Sequence, residues 1–190
     1  MFERYWEIKR ARQGLMHKGH IAYAIKILVS IMLLSGCTEK SSYDTPTITV
    51  TIEPLRYFTE QIAADRFKVV TMVPQGGSPE TYEPSAQQMA ALAHSSLYIK
   101  VGEIGFERTW TKRLQDNAPH CLFINASEGI EPLSTPHGHA DPHTWMSTKN
   151  ARLMAQNIFK ALCQVNTADR PLVRQNLNTL LATIDSEHTN

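Results

Sequence analysis

The chain is poor in cysteine, in long apolar runs and in any bias of charge. Its three cysteines, Cys37, Cys121 and Cys163, lie far apart, which excludes a zinc-finger cluster of thiolates and a disulfide-built scaffold. The most apolar stretch, Ile27 to Leu34, is well short of the about 20 residues that a membrane-spanning helix requires. Nineteen Lys and Arg against 18 Asp and Glu give a formal charge of +1, so the chain lacks the basic footprint of a nucleic-acid binder. No glycine-rich turn leads from a strand into a helix at phosphate-binding spacing, and no serine or cysteine stands in a nucleophile setting. There is no internal repeat or low-complexity run.

What is present begins with three parts in a telling order. A basic stretch (His17, Lys18, His20, Lys26) precedes the apolar segment Ile27 to Leu34, and small residues lead into a cysteine at Leu34-Ser35-Gly36-Cys37. This is the order of a secretory signal that ends on a lipidated cysteine. Residues 1–36 are therefore expected to be a signal peptide, with Met16 available as an alternative start and Cys37 as the lipid anchor. The protein is then expected in the cell envelope, facing the periplasm or the exterior. Beyond Cys37 the chain carries 13 basic and 16 acidic residues, a net charge of −3. Residues 37–46 read as a lipidated tether, too polar to pack. Cys121, in an apolar run, and Cys163, on the apolar side of a helical pattern, are expected as free thiols.

From Thr47 onward, strand and helix patterns alternate. Ile48, Val50 and Ile52 alternate with threonines, and Pro54 opens a helix with Leu55, Phe58 and Ile62 on one face. The run Phe67 to Val73 predicts a second strand, and Pro84 is expected to start a second helix carrying Met89 and Leu92, with Glu83 favouring its dipole. Leu97 to Val101 and Cys121 to Ile124 predict two more strands around a helix with Phe106, Trp110 and Leu114 at helical spacing. Helical periodicity resumes at Ala151, Met154, Ile158 and Leu162, and again from Pro171 through Leu177, Leu180 and Ile184. The predicted fold is α/β, a four-stranded parallel sheet flanked by helices, with ligands expected at the carboxyl ends of the strands. The last helix has an apolar face with no evident partner and no stop signal, which reads as a chain cut short.

Two loops carry the chemistry. His137-Gly138-His139-Ala140-Asp141-Pro142-His143-Thr144-Trp145 packs three imidazoles and a carboxylate into a segment stiffened by Pro142. Such a donor set suits zinc or a neighbouring divalent metal. Pro142 fixes the approach to His143, and Trp145 offers an apolar body to anchor the loop. The second loop, Gly76-Gly77-Ser78-Pro79-Glu80-Thr81-Tyr82-Glu83-Pro84, follows the second strand, and its glycines and prolines aim Glu80 as an oxygen ligand.

In order along the chain, Gly76 to Pro84, Gly102 to Trp110 with Glu107, and Asp141-Pro142-His143 with Trp145 resemble the solute-binding lipoproteins of bacterial zinc and manganese ABC importers. The likeness runs from Thr47 to the end of the chain. It implies a metal held between two lobes, with His143 as one ligand and Glu80 where the family usually has histidine. His137 and His139 resemble a short form of the family's histidine-rich loop, an auxiliary capture segment. The resemblance further implies an N-terminal metal-binding lobe over 47–148. Residues 149–190 would supply helices that include the start of an inter-lobe helix, with the second lobe absent. The expected cargo is Zn2+, with Mn2+ or Fe2+ as alternatives, because a glutamate oxygen excludes these less well than an imidazole does. The expected partner is an ABC permease in the inner membrane, and no enzymatic activity is implied. Two other readings compete. One is a surface adhesin or structural lipoprotein. The other is a zinc metallohydrolase built on His137, His139, Asp141 and His143, whose spacing resembles a metallo-β-lactamase-like signature with Pro142 inserted.

Overall fold

A computed structural model describes residues 45–102, 104–131 and 141–188. Cys37, the signal segment, His137 and His139 lie outside the described residues. Four short strands, β1 (Thr47–Val50), β2 (Lys68–Thr71), β3 (Ser95–Lys100) and β4 (Leu122–Asn125), form a parallel sheet in the order β2-β1-β3-β4. Val50 stands opposite Thr71 on one side and Ile99 on the other, and Lys100 opposite Asn125.

The helices are α1 (Glu53–Ala63), α2 (Ala86–Ala93), α3 (Gly105–Asn117), α4 (Thr148–Val165) and α5 (Arg170–His188). The chain steps from β1 to β2 in one direction and from β2 over β1 to β3 in the other. Right-handed crossovers therefore place α1 on one face and α2 and α3 on the opposite one. Helix α4 packs on β3, β4 and α1. With both faces covered, β1 is buried from Ile48 to Val50, and Thr49 Oγ1 lies 2.7 Å from Ser95 Oγ. Just past the strand, Thr51 Oγ1 lies 2.9 Å from the buried Tyr98 hydroxyl. The strand order reverses between β1 and β3, where a ligand crevice is expected in such sheets.

Three local expectations change. β1 ends at Val50, and Ile52 instead takes the N-cap position of α1. Pro84 does not start α2. Ser85 caps it, accepting from the Gln88 amide while Gln88 reaches back to the Ser85 N–H, and this reciprocal pair fixes the start two residues after the proline. The apolar face of α5 is not bare. Val173, Leu177, Leu180 and Ile184 are buried against α1 and α4, Asn176 donates to the Ile62 carbonyl at 3.0 Å, and Arg152 pairs with Asp185. Both Cys121 and Cys163 are free thiols, and burial pushes the Cys121 thiol up to about 12.

Candidate metal centre

The loops after β2, β3 and β4 gather at the carboxyl edge of the sheet. The first of them folds onto the start of α3. Phe106 N–H donates to the Pro79 carbonyl at 2.9 Å, and Gly105 N–H to Glu80 Oε2 at 3.1 Å. A helix start leaves N–H groups without intrahelical partners, and here the loop supplies acceptors for two of them. Glu80 thus does for α3 what the sequence had assigned to Glu83 for α2, with its negative charge at the positive end of the helix dipole. The Arg108 guanidinium lies 3.6 Å from the same carboxylate oxygen. The loop is held from behind by Gln88, which donates to the Met72 carbonyl at 2.7 Å and accepts from the Tyr82 hydroxyl at 2.9 Å. Tyr82 also packs on Phe106.

Gly105 leaves no room for any larger residue. A Cβ at this position would lie 2.2 Å from Glu80 Oε2 and 2.8 Å from the Glu80 carbonyl oxygen. The β3–α3 connection is fastened from inside by Glu107, which is 1% exposed and accepts from Val101 N–H at 2.7 Å and Gly102 N–H at 2.6 Å. Burial outweighs these donors and raises the Glu107 pKa above the ordinary carboxylate value. Gly102 takes a positive φ of 140° with the Asn125 side chain close against it, a conformation that favours glycine.

His143 is aimed by a neighbour two residues back. Asp141 Oδ1 accepts from the His143 backbone N–H at 2.9 Å and lies 2.8 Å from Nδ1. A carboxylate offers only acceptors, so Nδ1 carries the proton and the lone pair of Nε2 is left for a ligand bond. The backbone and ring donors of His143 hold the Asp141 carboxyl below its usual range. Trp145 packs against the core and its ring centroid lies 5.2 Å from that of His143; Thr144 Oγ1 lies 2.8 Å from Ser127 Oγ.

Glu80 and the segment that carries His143 thus reach opposite ends of the stretch from Val101 to Gly105. Glu80 bonds to Gly105 at the start of α3, and Asp141, Pro142 and Thr144 share with Val101 and Gly102 the wall of a cavity of about 300 Å³. Among the described residues, no three histidine, cysteine, aspartate or glutamate side chains are grouped to hold a metal ion. The sequence reading missed the roles of Gly105 and Arg108, and it counted Asp141 as a donor of the loop rather than as the partner that orients His143. The Asp-x-His spacing could have flagged Asp141, whereas the other two matter only through tertiary contact with Glu80.

Asp141→Asn is expected to weaken zinc binding by about 10- to 100-fold, because an amide can turn its NH2 toward Nδ1 and move the ring proton onto Nε2. Isothermal titration with zinc checks this, and an unchanged thermal melt shows the fold to be intact.

Comparison with known proteins gives a consistent set of similarities. Residues 48–190 match the family model described as "Zinc-uptake complex component A periplasmic". A putative metal-binding protein of Treponema pallidum is 26% identical over 179 residues, covering 85% of this chain and 56% of the relative. The manganese ABC transporter substrate-binding lipoprotein PsaA of Streptococcus pneumoniae is 27% identical, with 83% and 54% covered. Among solved structures, a crystal structure of ZnuA superposes with a TM-score of 0.71 at 36% identity, covering 75% of this chain and 56% of that one. The chain spans about half the length of these relatives.

Proposed function

Since the chain belongs to the periplasmic zinc-uptake component A family, we propose that it captures a divalent transition metal outside the inner membrane and delivers it to an ABC permease. That family consists of solute-binding proteins and not of enzymes, which sets the hydrolase reading aside. The observation that carries the proposal is the preset imidazole of His143, its Nδ1 tied to Asp141 at 2.8 Å. Glu80, from the loop after β2, is the second ligand. Its Oε2 is pointed by the Gly105 N–H and lies beside the Arg108 guanidinium.

Zinc is the expected cargo, with manganese or iron(II) as the alternatives. One imidazole and one carboxylate suit all three, and relatives include a manganese lipoprotein as well as ZnuA. Two protein ligands leave a tetrahedral shell half filled by water, so binding by these two alone is weak compared with a closed site. His137 and His139 act in capture ahead of that site, and Cys37 carries the lipid that keeps the protein at the membrane. The lobe comprises residues 47–148, and 149–190 lead toward a second lobe.

Titration of the purified protein with zinc and manganese tests the assignment. Glu80→Ala and His143→Ala are each expected to weaken binding, and the double variant to weaken it further. Undiminished affinity in the double variant would place the site elsewhere.

A further inference from the structure

We propose that Arg108 is the resident counter-ion of Glu80, giving up the carboxylate when a dication binds and retaking it on release. The inference rests on the reading of Glu80 as a metal ligand and adds to it a residue that sets affinity and off-rate.

The observations lie in the first turn of α3. Glu80 Oε2 accepts from Gly105 N–H at 3.1 Å and lies 3.6 Å from Arg108 Nη2, so a single oxygen faces both a backbone donor and a side-chain cation. The two differ in what they do when metal arrives. The Gly105 amide belongs to the backbone of a helix start and keeps its place. Arg108 is a long side chain, 58% exposed, facing a Glu80 side chain 52% exposed. Helix stability does not account for its position either, since a cation near the positive end of a helix dipole is disfavoured.

A divalent ion on Glu80 thus meets a positive charge already in place. If Arg108 stays, it repels the ion; if it leaves, the ion pair is lost. Either way the guanidinium costs the loaded state and favours the empty one. An exposed pair of this kind is weak and screened by salt, so the expected effect is about 3- to 10-fold in affinity. A modest handicap of this size suits a carrier that must release its cargo. It also leaves the empty carboxylate compensated.

The test is zinc and manganese titration with stopped-flow release, on wild type, Arg108→Gln, Arg108→Lys, Glu80→Ala and the double variant Arg108→Gln with Glu80→Ala. Arg108→Gln is expected to tighten both metals about 3- to 10-fold, mainly through slower release, with the gain shrinking at high salt. Arg108→Lys, which keeps the charge, is expected near wild type. In the Glu80→Ala background the gain is expected to fall by at least half. Unchanged or weaker binding in Arg108→Gln would overturn the proposal and make Arg108 neutral or a positioning group for Glu80. An equal gain with and without Glu80 would reduce it to a general charge effect and overturn the pairing. Full affinity in Glu80→Ala alone would instead remove Glu80 from the site, whatever Arg108 does.

Discussion

Glu107→Ala is expected to lower the free energy of unfolding by about 3 kcal/mol and the melting temperature by roughly 10 °C. The side chain is almost wholly buried and accepts from two backbone N–H groups at 2.6 and 2.7 Å. Alanine leaves both donors buried without an acceptor, and each such group costs about 1–3 kcal/mol. Val101 and Gly102 follow the last residue of β3, and Glu107 supplies the acceptor for both of their N–H groups. Glu107→Gln retains one acceptor oxygen and is expected to lose less.

The pH dependence has a definite sign. Burial raises the Glu107 pKa in the folded protein, so the fold keeps a proton that the unfolded chain releases. The stabilisation is complete below the ordinary carboxylate range and declines as pH rises through the raised value. Melts of wild type and Glu107→Gln between about pH 4 and 7 are expected to show wild type losing ground to the variant as pH rises. A Glu107→Ala melt within a degree or two of wild type would refute the structural role.

Gly105→Ala is expected to cost about 2 kcal/mol of stability through overpacking and to impair metal binding as well. The position needs glycine for space. Its Cβ would meet Glu80 Oε2 at 2.2 Å, the Glu80 carbonyl at 2.8 Å and its Cα at 3.0 Å. The carboxylate can rotate away, but the backbone of residue 80 can yield only by moving the whole Ser78 to Tyr82 turn, which its bonds to Gln88 and Phe106 oppose. Adding Glu80→Ala to Gly105→Ala should therefore recover only the part of the stability loss due to the side chain. Urea denaturation and zinc titration on the same samples separate the two effects, and a neutral Gly105→Ala in both would mean that the loop is looser than its contacts imply.

Much of the fold was legible because each strand and helix carries its own pattern. The apolar runs at Ile48, Val69, Leu97 and Ile124, broken by proline and glycine, place the sheet, and the 3.6-residue spacing of Met154, Ile158 and Leu162 places α4. The start of α2 was misplaced because a reciprocal cap between Ser85 and Gln88 outranks a proline that merely precedes it. The cover over α5 was illegible for a different reason. Its partners on α1, including the Ile62 carbonyl bonded to Asn176, lie 114 residues earlier, and no local pattern links them. The candidate site divides the same way. Glu80 and His143 stood out through the prolines and glycines around them, whereas Glu80's attachment to Gly105 and Arg108 emerges only when β3 brings α3 beside the loop.

The two arms of the proposed site are oriented by unlike means. The imidazole takes its direction from Asp141 across a single proline, a bond between near neighbours that a short peptide can form on its own. The carboxylate takes its direction from a partner 25 residues away and keeps it only while the first turn of α3 is wound. Fraying of that one turn would therefore disarm the site by halves, leaving a histidine still poised beside a glutamate that has lost its bearing.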